Sequence, residues 1–235
     1  MRQSVPVITI DGPSGSGKGT ISRQLASELG WHFLDSGALY RLVGLGAQRH
    51  AIDFNDHSAL AEYARQLDVT FRMHDPAQEP RVLLEGQDVT DDIRTETCGE
   101  LASRVAAVAE VREALLQRQR DFRQPPGLVA DGRDMGTTVF PQAGLKIFLT
   151  ASAEVRAQRR YKQLKEKGLS VSLSALVHDI SQRDARDSAR PVSPLKPADD
   201  AVIVDTSEMD VSRVMQRVQA LVDQAFPDHR TGRSN

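Results

Sequence analysis

The residues Gly12-Pro13-Ser14-Gly15-Ser16-Gly17-Lys18-Gly19-Thr20 fit the pattern G-x-x-x-x-G-K, a spacing suited to holding phosphate. Successive backbone N–H groups converge on phosphate oxygens only where side chains leave the approach open, which the glycines do. The helix expected after the loop adds its positive N-terminal end, and Lys18 adds a point charge for the β- and γ-phosphates. The bare pattern is common: with about 7% Gly and Lys of similar frequency, roughly one chain in fifteen carries it by chance. A flexible glycine turn is the alternative reading, and context decides between them. The apolar run from Val5 to Ile10 precedes the loop, and Ile21, Leu25, Ala26 and Leu29 follow at helical spacing, with Gly30 placed as a C-cap. Strand, loop and helix is the order that phosphate binding requires.

One position departs from the usual loop. Gly19 stands where a Mg²⁺-binding Ser or Thr is common, and a hydroxyl first appears at Thr20. That pattern points to Mg²⁺ held mainly by phosphate oxygens and water, a mode this ion favours.

Other charged side chains fall at positions where chemistry is possible. Arg41 and Arg133 each follow a predicted strand, at the carboxyl edge where α/β folds bind ligands, and a planar guanidinium fork suits a dianion. A solvated surface charge is the alternative for any single arginine. Asp131 closes a predicted strand, as a carboxylate orienting Mg²⁺-bound water or as a simple turn residue. Asp134 sits in a glycine-containing loop, where a cap or turn carboxylate is the plain alternative. Arg183 and Asp187 are four apart and share a helix face, so an i,i+4 ion pair of a few tenths of a kcal/mol accounts for them without any ligand. Arg156, Arg159 and Arg160 lie in a basic stretch, either a solvated helix or a lid able to exclude water. The histidines are scattered and none has zinc-ligand spacing.

The elements that must position these residues are legible as short runs. Val5–Ile10, His32–Leu34, Leu128–Ala130, Lys146–Leu149 and Ala201–Val204 read as strands. Helical spacing follows the glycine loop, runs over Leu39–Leu45, returns between Asp92 and Pro125, and starts again near Ser152, Ser172 and Asp210. Strands alternating with helices imply an α/β fold with a parallel sheet. From about Asp68 to Thr90 the rhythm breaks into a β-hairpin, with Val69–Met73 and Arg81–Gly86 flanking a turn-rich stretch from His74 to Pro80.

Composition excludes several classes. The 235 residues carry 30 Lys plus Arg against 32 Asp plus Glu, a net charge of -2, so no long-range field draws in nucleic acid or anionic membrane. With 40% hydrophobic and 26% charged residues, general disorder is excluded as well. No run approaches the roughly 18 apolar residues of a membrane span. The single cysteine, Cys98, forms no intrachain disulfide, and the start of the chain has no export signal, so a cytoplasmic location is expected.

Five further stretches narrow the reading: Asp35-Ser36-Gly37-Ala38-Leu39-Tyr40-Arg41, Ala130-Asp131-Gly132-Arg133-Asp134-Met135-Gly136-Thr137, Arg183-Asp184-Ala185-Arg186-Asp187, Leu84-Glu85-Gly86 and Val111-Arg112. Together with the G-K-G-T loop they resemble the bacterial cytidylate kinases, from Val5 to about Phe226 and in that family's order. The resemblance implies ATP-dependent, Mg²⁺-assisted phosphorylation of CMP and dCMP by a single kinase domain over 1–235, with a monomer as the family's expected state. It implies a three-layer P-loop core with a five-stranded parallel sheet, a monophosphate-binding insert over about 62–98, a helical lid over about 154–170, and a disordered tail over 227–235. ATP is expected on Gly12 to Thr20, with Arg156, Arg159 and Arg160 closing over it. The acceptor is expected on Ser36, Arg41, Ser103, Arg112, Arg133, Asp134, Arg183, Asp187 and Arg190, with Lys18, Arg41, Asp131, Arg133 and Arg190 serving transfer. Other P-loop kinases, for UMP or dTMP, and an ATP-binding regulator without turnover are the competing classes.

Base choice follows from hydrogen-bonding groups. Cytosine offers an amino donor at N4 beside two acceptors, which a carboxylate and a guanidinium complement. The resemblance gives the donor to Asp134 and the acceptors to Arg112, with Ser103 assisting. Uracil would set an acceptor against the carboxylate, and leaving such a buried group unpaired costs about 1–3 kcal/mol.

Overall fold

The computed structural model describes residues 5–72, 81–166 and 168–227. The turn expected from His74 to Pro80 and the tail expected beyond Pro227 lie outside the described residues. In chain order the elements are β1 (Val7–Asp11), α1 (Lys18–Leu29), β2 (His32–Asp35), α2 (Ser36–Arg49), α3 (His57–Arg65), β3 (Val69–Arg72), β4 (Arg81–Leu84), β5 (Gln87–Asp88), α4 (Glu96–Val105), α5 (Ala109–Asp121), β6 (Leu128–Gly132), β7 (Leu145–Thr150), α6 (Ala153–Glu166), α7 (Leu173–Ser188), β8 (Val202–Asp205) and α8 (Val211–Ala225). They divide into two compact units. One comprises Met1–Leu34 with Arg123–Asn235, and the other Asp35–Phe122.

The first unit is built on a five-stranded sheet in the order β2-β6-β1-β7-β8, the α/β arrangement expected. Parallel registers join β1 to β6 and β7, and β7 to β8. Every residue of β1 and β6 is buried, which is why both read as continuous apolar runs rather than alternating ones. Asp11 belongs to β1 as its last residue, where the sequence suggested the strand stopped at Ile10. Ile8, Ile10, Val129, Ile147 and Leu149 of the sheet pack with Leu25 of α1 and Val218 and Val222 of α8. Trp31 meets Phe226 edge-on, with ring centroids 5.5 Å apart, so it serves packing. A separate small cluster, Ala157, Leu164 and Leu176, joins α6 to α7.

The topology places a crevice at one end of this sheet. The chain leaves β1 toward β2, beyond β6, and leaves β6 toward β7, beyond β1. The segments that follow these two adjacent strands therefore diverge, the arrangement in which α/β sheets bind ligands. Gly12 opens the first segment at φ 151°, and a Cβ there would lie 2.0 Å from the Leu149 carbonyl oxygen. No other residue fits that approach.

The second unit is helical, with a small antiparallel sheet in the order β3-β4-β5. Asp35, Asp56 and Thr95 cap α2, α3 and α4 by accepting from the N–H groups of Ala38, Ala59 and Cys98. α3 was not legible as a helix in the sequence, although Asp56 and the buried Leu60, Ala61 and Ala64 carry its signal. α2 and α3 approach closely at Gly46, where a Cβ would lie 1.8 Å from the Tyr63 hydroxyl. Gly46→Ala is expected to destabilise the protein by about 1–3 kcal/mol through overpacking, read as a lower urea midpoint with an unchanged slope.

Candidate active site

The donor loop occupies the turn between β1 and α1. Gly17, at φ 91°, caps α1 in the left-handed conformation, and the first turn of the helix holds Lys18 and no acidic residue. An anion placed there meets the positive helix end without competition from a carboxylate in the helix's own first turn. Lys18 Nζ donates to the Pro13 carbonyl at 3.2 Å, folding the ammonium back over the loop. Ser16 is 1% exposed, and its buried Oγ has no hydrogen-bond partner among the described residues. A phosphate oxygen is the acceptor chemistry such a group calls for.

Two braces hold the loop from outside, and the sequence reading identified neither. Thr206 Oγ1 lies 3.3 Å from the Ser16 carbonyl and 3.1 Å from the Thr150 carbonyl, and it accepts from Arg159 Nη1. Arg156, 4% exposed, donates from Nη1 to the Ser14 carbonyl at 3.0 Å and from Nε to the Ala151 carbonyl at 2.9 Å. Its guanidinium also forms a two-point ion pair with Asp184 of α7. Arg156 and Arg159, expected as lid groups, here engage the protein's own carbonyls, Thr206 and Asp184 with their forks. Arg160, half-buried on α6, donates to Gln163 at 3.3 Å.

Asp131, on β6, is 6% exposed and lies against the start of α1, where a Cβ on Gly19 would come within 3.3 Å of its Oδ2. The absence of a side chain at Gly19 leaves this carboxylate facing the donor loop. Thr20 is exposed. Among the described residues no cluster of three or more His, Cys, Asp or Glu is arranged to hold a metal ion. A Mg²⁺ ion held through phosphate oxygens and water would have Asp131 beside the donor loop as an acceptor for that water.

β6 ends at Gly132; Arg133 and Asp134 follow, then one wide turn over Met135–Val139 in which Phe140 N–H donates to the Met135 carbonyl at 2.7 Å. Such turns are rare and cluster at functional sites. Asp134 is 4% exposed and makes no capping hydrogen bond to the turn it precedes. That removes the cap as the explanation for its carboxylate.

Around Asp187 the first unit gathers positive charge. Asp187 is fully buried, at 0% exposure, and its carboxylate pairs with Arg133 through one oxygen and Arg190 through the other. Burial alone would raise its pKa, but Arg133, Arg190 and Arg183 together outweigh burial and hold it below the ordinary carboxylate value. The sequence suggested an i,i+4 pair between Arg183 and Asp187. Arg133 and Arg190 pair directly with Asp187, and the charge of Arg183 joins the same cluster.

In the second unit, Ser36 is the first residue of α2 and is buried. Arg41, one turn further on, donates from Nη1 to the carbonyls of Ile93 and Thr95 at 2.7 and 3.1 Å. The Arg112 guanidinium lies 5.4 Å from the ring centroid of Tyr40, beside Arg41 on α2, and donates to the Ala106 carbonyl at 3.2 Å. Ser103 is buried on α4. Cys98 is buried too, its thiol donating to the Arg41 carbonyl at 3.4 Å.

A family model described as cytidylate kinase matches residues 8–224. The chain is 57% identical over 220 residues to the cytidylate kinase of Pseudomonas entomophila, covering 94% of this chain and 96% of that one. It is 58% identical over 218 residues to that of Pseudomonas paraeruginosa, covering 93% and 95%, and 55% identical over 224 residues to that of Pseudomonas putida KT2440, covering 95% and 98%.

The buried arginine cluster has a testable cost. Asp187→Asn leaves Arg133 and Arg190 without their counter-charge, and losing one partner of a buried pair costs about 3–5 kcal/mol. Because the native pKa of Asp187 is depressed, its contribution is fully present above the unfolded value of about 3.9 and is lost as pH falls through the native one. Urea unfolding between pH 2 and 7 is expected to show a lower plateau for Asp187→Asn and a shallower acid limb than wild type.

Proposed function

The chain belongs to the cytidylate kinase family, and we propose that it transfers the terminal phosphoryl group of ATP to CMP and dCMP, giving CDP and dCDP. The observation that carries this reading is the arginine cluster about Asp187 in the same unit as the donor loop. Phosphoryl transfer asks little covalent chemistry of the protein: two phosphorylated molecules must be held in line and their repulsion neutralised. An oxygen of the acceptor phosphate attacks the γ-phosphorus, the bond to the β–γ bridging oxygen breaks, and ADP leaves with that oxygen.

In this reading the loop from Gly12 to Thr20 holds the donor phosphates, and Lys18 follows the charge as it moves to the leaving group. Arg41, Arg133 and Arg190 hold the acceptor phosphate, and Arg183 with Asp187 serves the sugar. Asp134 accepts from the cytosine amino group, while Arg112 donates to the base's acceptors and Ser103 assists, beside Ser36. Mg²⁺ supplies charge neutralisation at the transferring phosphates, with Asp131 oriented toward its water. Arg156, Arg159 and Arg160 are the lid groups assigned to ATP, and Arg156 at Ser14 and Arg159 through Thr206 also brace the donor loop. The stretch of about 154–170, most of it in α6, is the proposed lid, and the region of about 62–98 the proposed monophosphate-binding insert. A cytoplasmic location accompanies this reading: the buried, unpaired Cys98 suits a reducing compartment.

An ADP-release assay across CMP, dCMP, UMP, AMP and dTMP tests the reading. CMP and dCMP are expected to turn over best, with UMP about 10- to 100-fold poorer in kcat/KM, the equivalent of one unpaired buried group. Turnover of UMP equal to CMP would remove the base assignment, and ATP binding without turnover of any acceptor would make the protein a regulator. Lys18→Met is expected to fold normally and to lose activity by about 100-fold or more, as electrostatic groups at transferring phosphates do. Asp134→Ala is expected to lower kcat/KM for CMP more than for UMP; an equal loss for both would make Asp134 structural.

A further inference from the structure

Asp11 has no part in the transfer chemistry above, yet it is among the most constrained polar groups in the first unit. It is the last residue of β1, immediately before the donor loop, and is 5% exposed. Its two carboxylate oxygens accept separately from the next strand's loop: Oδ1 from Met135 N–H at 2.9 Å and Oδ2 from Gly136 N–H at 2.8 Å. Those two donors are the first residues after Asp134. The carboxylate therefore fixes the peptide plane through which Asp134 is attached to the wide turn of Met135–Val139.

The fit around this contact is tight on both sides. A Cβ on Gly136 would lie 2.9 Å from Thr9 Oγ1 and 3.3 Å from Asp11 Oδ2, so Gly136 can reach the carboxylate only because it lacks one. The far end of the same segment is tied down independently, where Lys146 Nζ donates to the Pro141 carbonyl at 2.6 Å and to Asp200 at 2.8 Å. Burial pushes the Asp11 carboxyl up to about 7, against the two N–H groups and Lys18, which lower it, and with Asp134, which raises it. Such a group is kept at a cost to stability, as a buried carboxylate ordinarily is. A neutral hydrogen-bonding residue would hold a turn more cheaply. It would not offer two equivalent acceptors to two successive N–H groups.

We propose that Asp11 is a specificity-determining positioning residue: by holding the N–H groups of Met135 and Gly136, it sets the Asp134 carboxylate at the distance and angle that distinguish a cytosine amino group from a uracil carbonyl. This rests on the assignment of Asp134 to the base. Removing the anchor lets Asp134 shift, and a carboxylate free to shift tolerates an acceptor that it otherwise rejects. Asp11 touches neither substrate in this role.

The experiment compares kcat/KM for CMP and for UMP, at saturating ATP, in wild type, Asp11→Asn, Gly136→Ala and Asp134→Ala. Asp11→Asn presents one acceptor and one competing donor, and Gly136→Ala disturbs the same contact from the opposite side. Both are expected to lower the CMP-to-UMP ratio by about tenfold. Adding Asp11→Asn to Asp134→Ala is expected to leave the ratio of the latter unchanged, because the group being positioned is then absent. A uniform fall for both substrates with the ratio kept would overturn the proposal, since that is what a purely structural residue gives. Full independence in the double variant would overturn it as well. If Asp11→Asn does not fold, Gly136→Ala alone decides by the same ratio. A wild-type enzyme without preference for CMP would instead refute the base assignment, an outcome visible before any variant is made.

Discussion

The parallel register between β1 and β6 sets Ile10 beside Asp131 and Asp11 beside Gly132. From that pairing two segments leave the sheet next to each other, one as the donor loop and the other carrying Arg133 and Asp134. Because side chains alternate along a strand, a slip of one residue would turn Asp131 away from Gly19 and Asp11 away from Met135 and Gly136. The apolar residues of both strands enforce the register: Ile8 and Ile10 of β1 and Val129 of β6 belong to the main core. Core packing thereby fixes the site to within one residue spacing, with no functional side chain contributing to the choice.

The second constraint is charge. A site that neutralises phosphates must concentrate cations, and the first unit does so around Asp187 without leaving them unbalanced. Arg133 comes from the loop after β6 and Arg190 follows α7, so the carboxylate joins parts of the chain that are 54 residues apart. Arg156 repeats the device on a smaller scale, joining Ser14, Ala151 and Asp184 through one fork. The near-zero net charge of the whole chain conceals both arrangements.

Local signals made much of this legible in the sequence. The donor loop announced itself because its glycines, its lysine and the flanking strand and helix are contiguous. The central strands β1, β6 and β7 were visible as short apolar runs because burial on both faces removes the alternation that an exposed sheet would show. Gly30 capped α1 as its residue type implied. What stayed hidden depends on residues distant in the chain. Asp11 looked like the end of a strand, since nothing near it in sequence reveals that its partners are Met135 and Gly136. Thr206 is one hydroxyl among many until the turn after β8 brings it to the Ser16 carbonyl. Arg156 and Arg159 sit in a basic helical stretch whose pattern suits solvent or a ligand equally, and only the fold shows which carbonyls they meet. α3 escaped for a different reason: its apolar residues are mostly alanines, a weak periodic signal.

The pairing of Asp187 with Arg133 and Arg190 has a consequence for affinity as well as for charge. A long side chain loses up to about 2 kcal/mol of rotamer freedom when it is fixed in one geometry. Here that loss is incurred as the chain folds, since both guanidinium groups are already held by a buried carboxylate before any anion arrives. A dianion meeting them needs to order little that is not ordered already. In the proposed reading, binding of the acceptor phosphate proceeds from a preorganised pair of forks, so that more of its gross interaction energy appears as affinity.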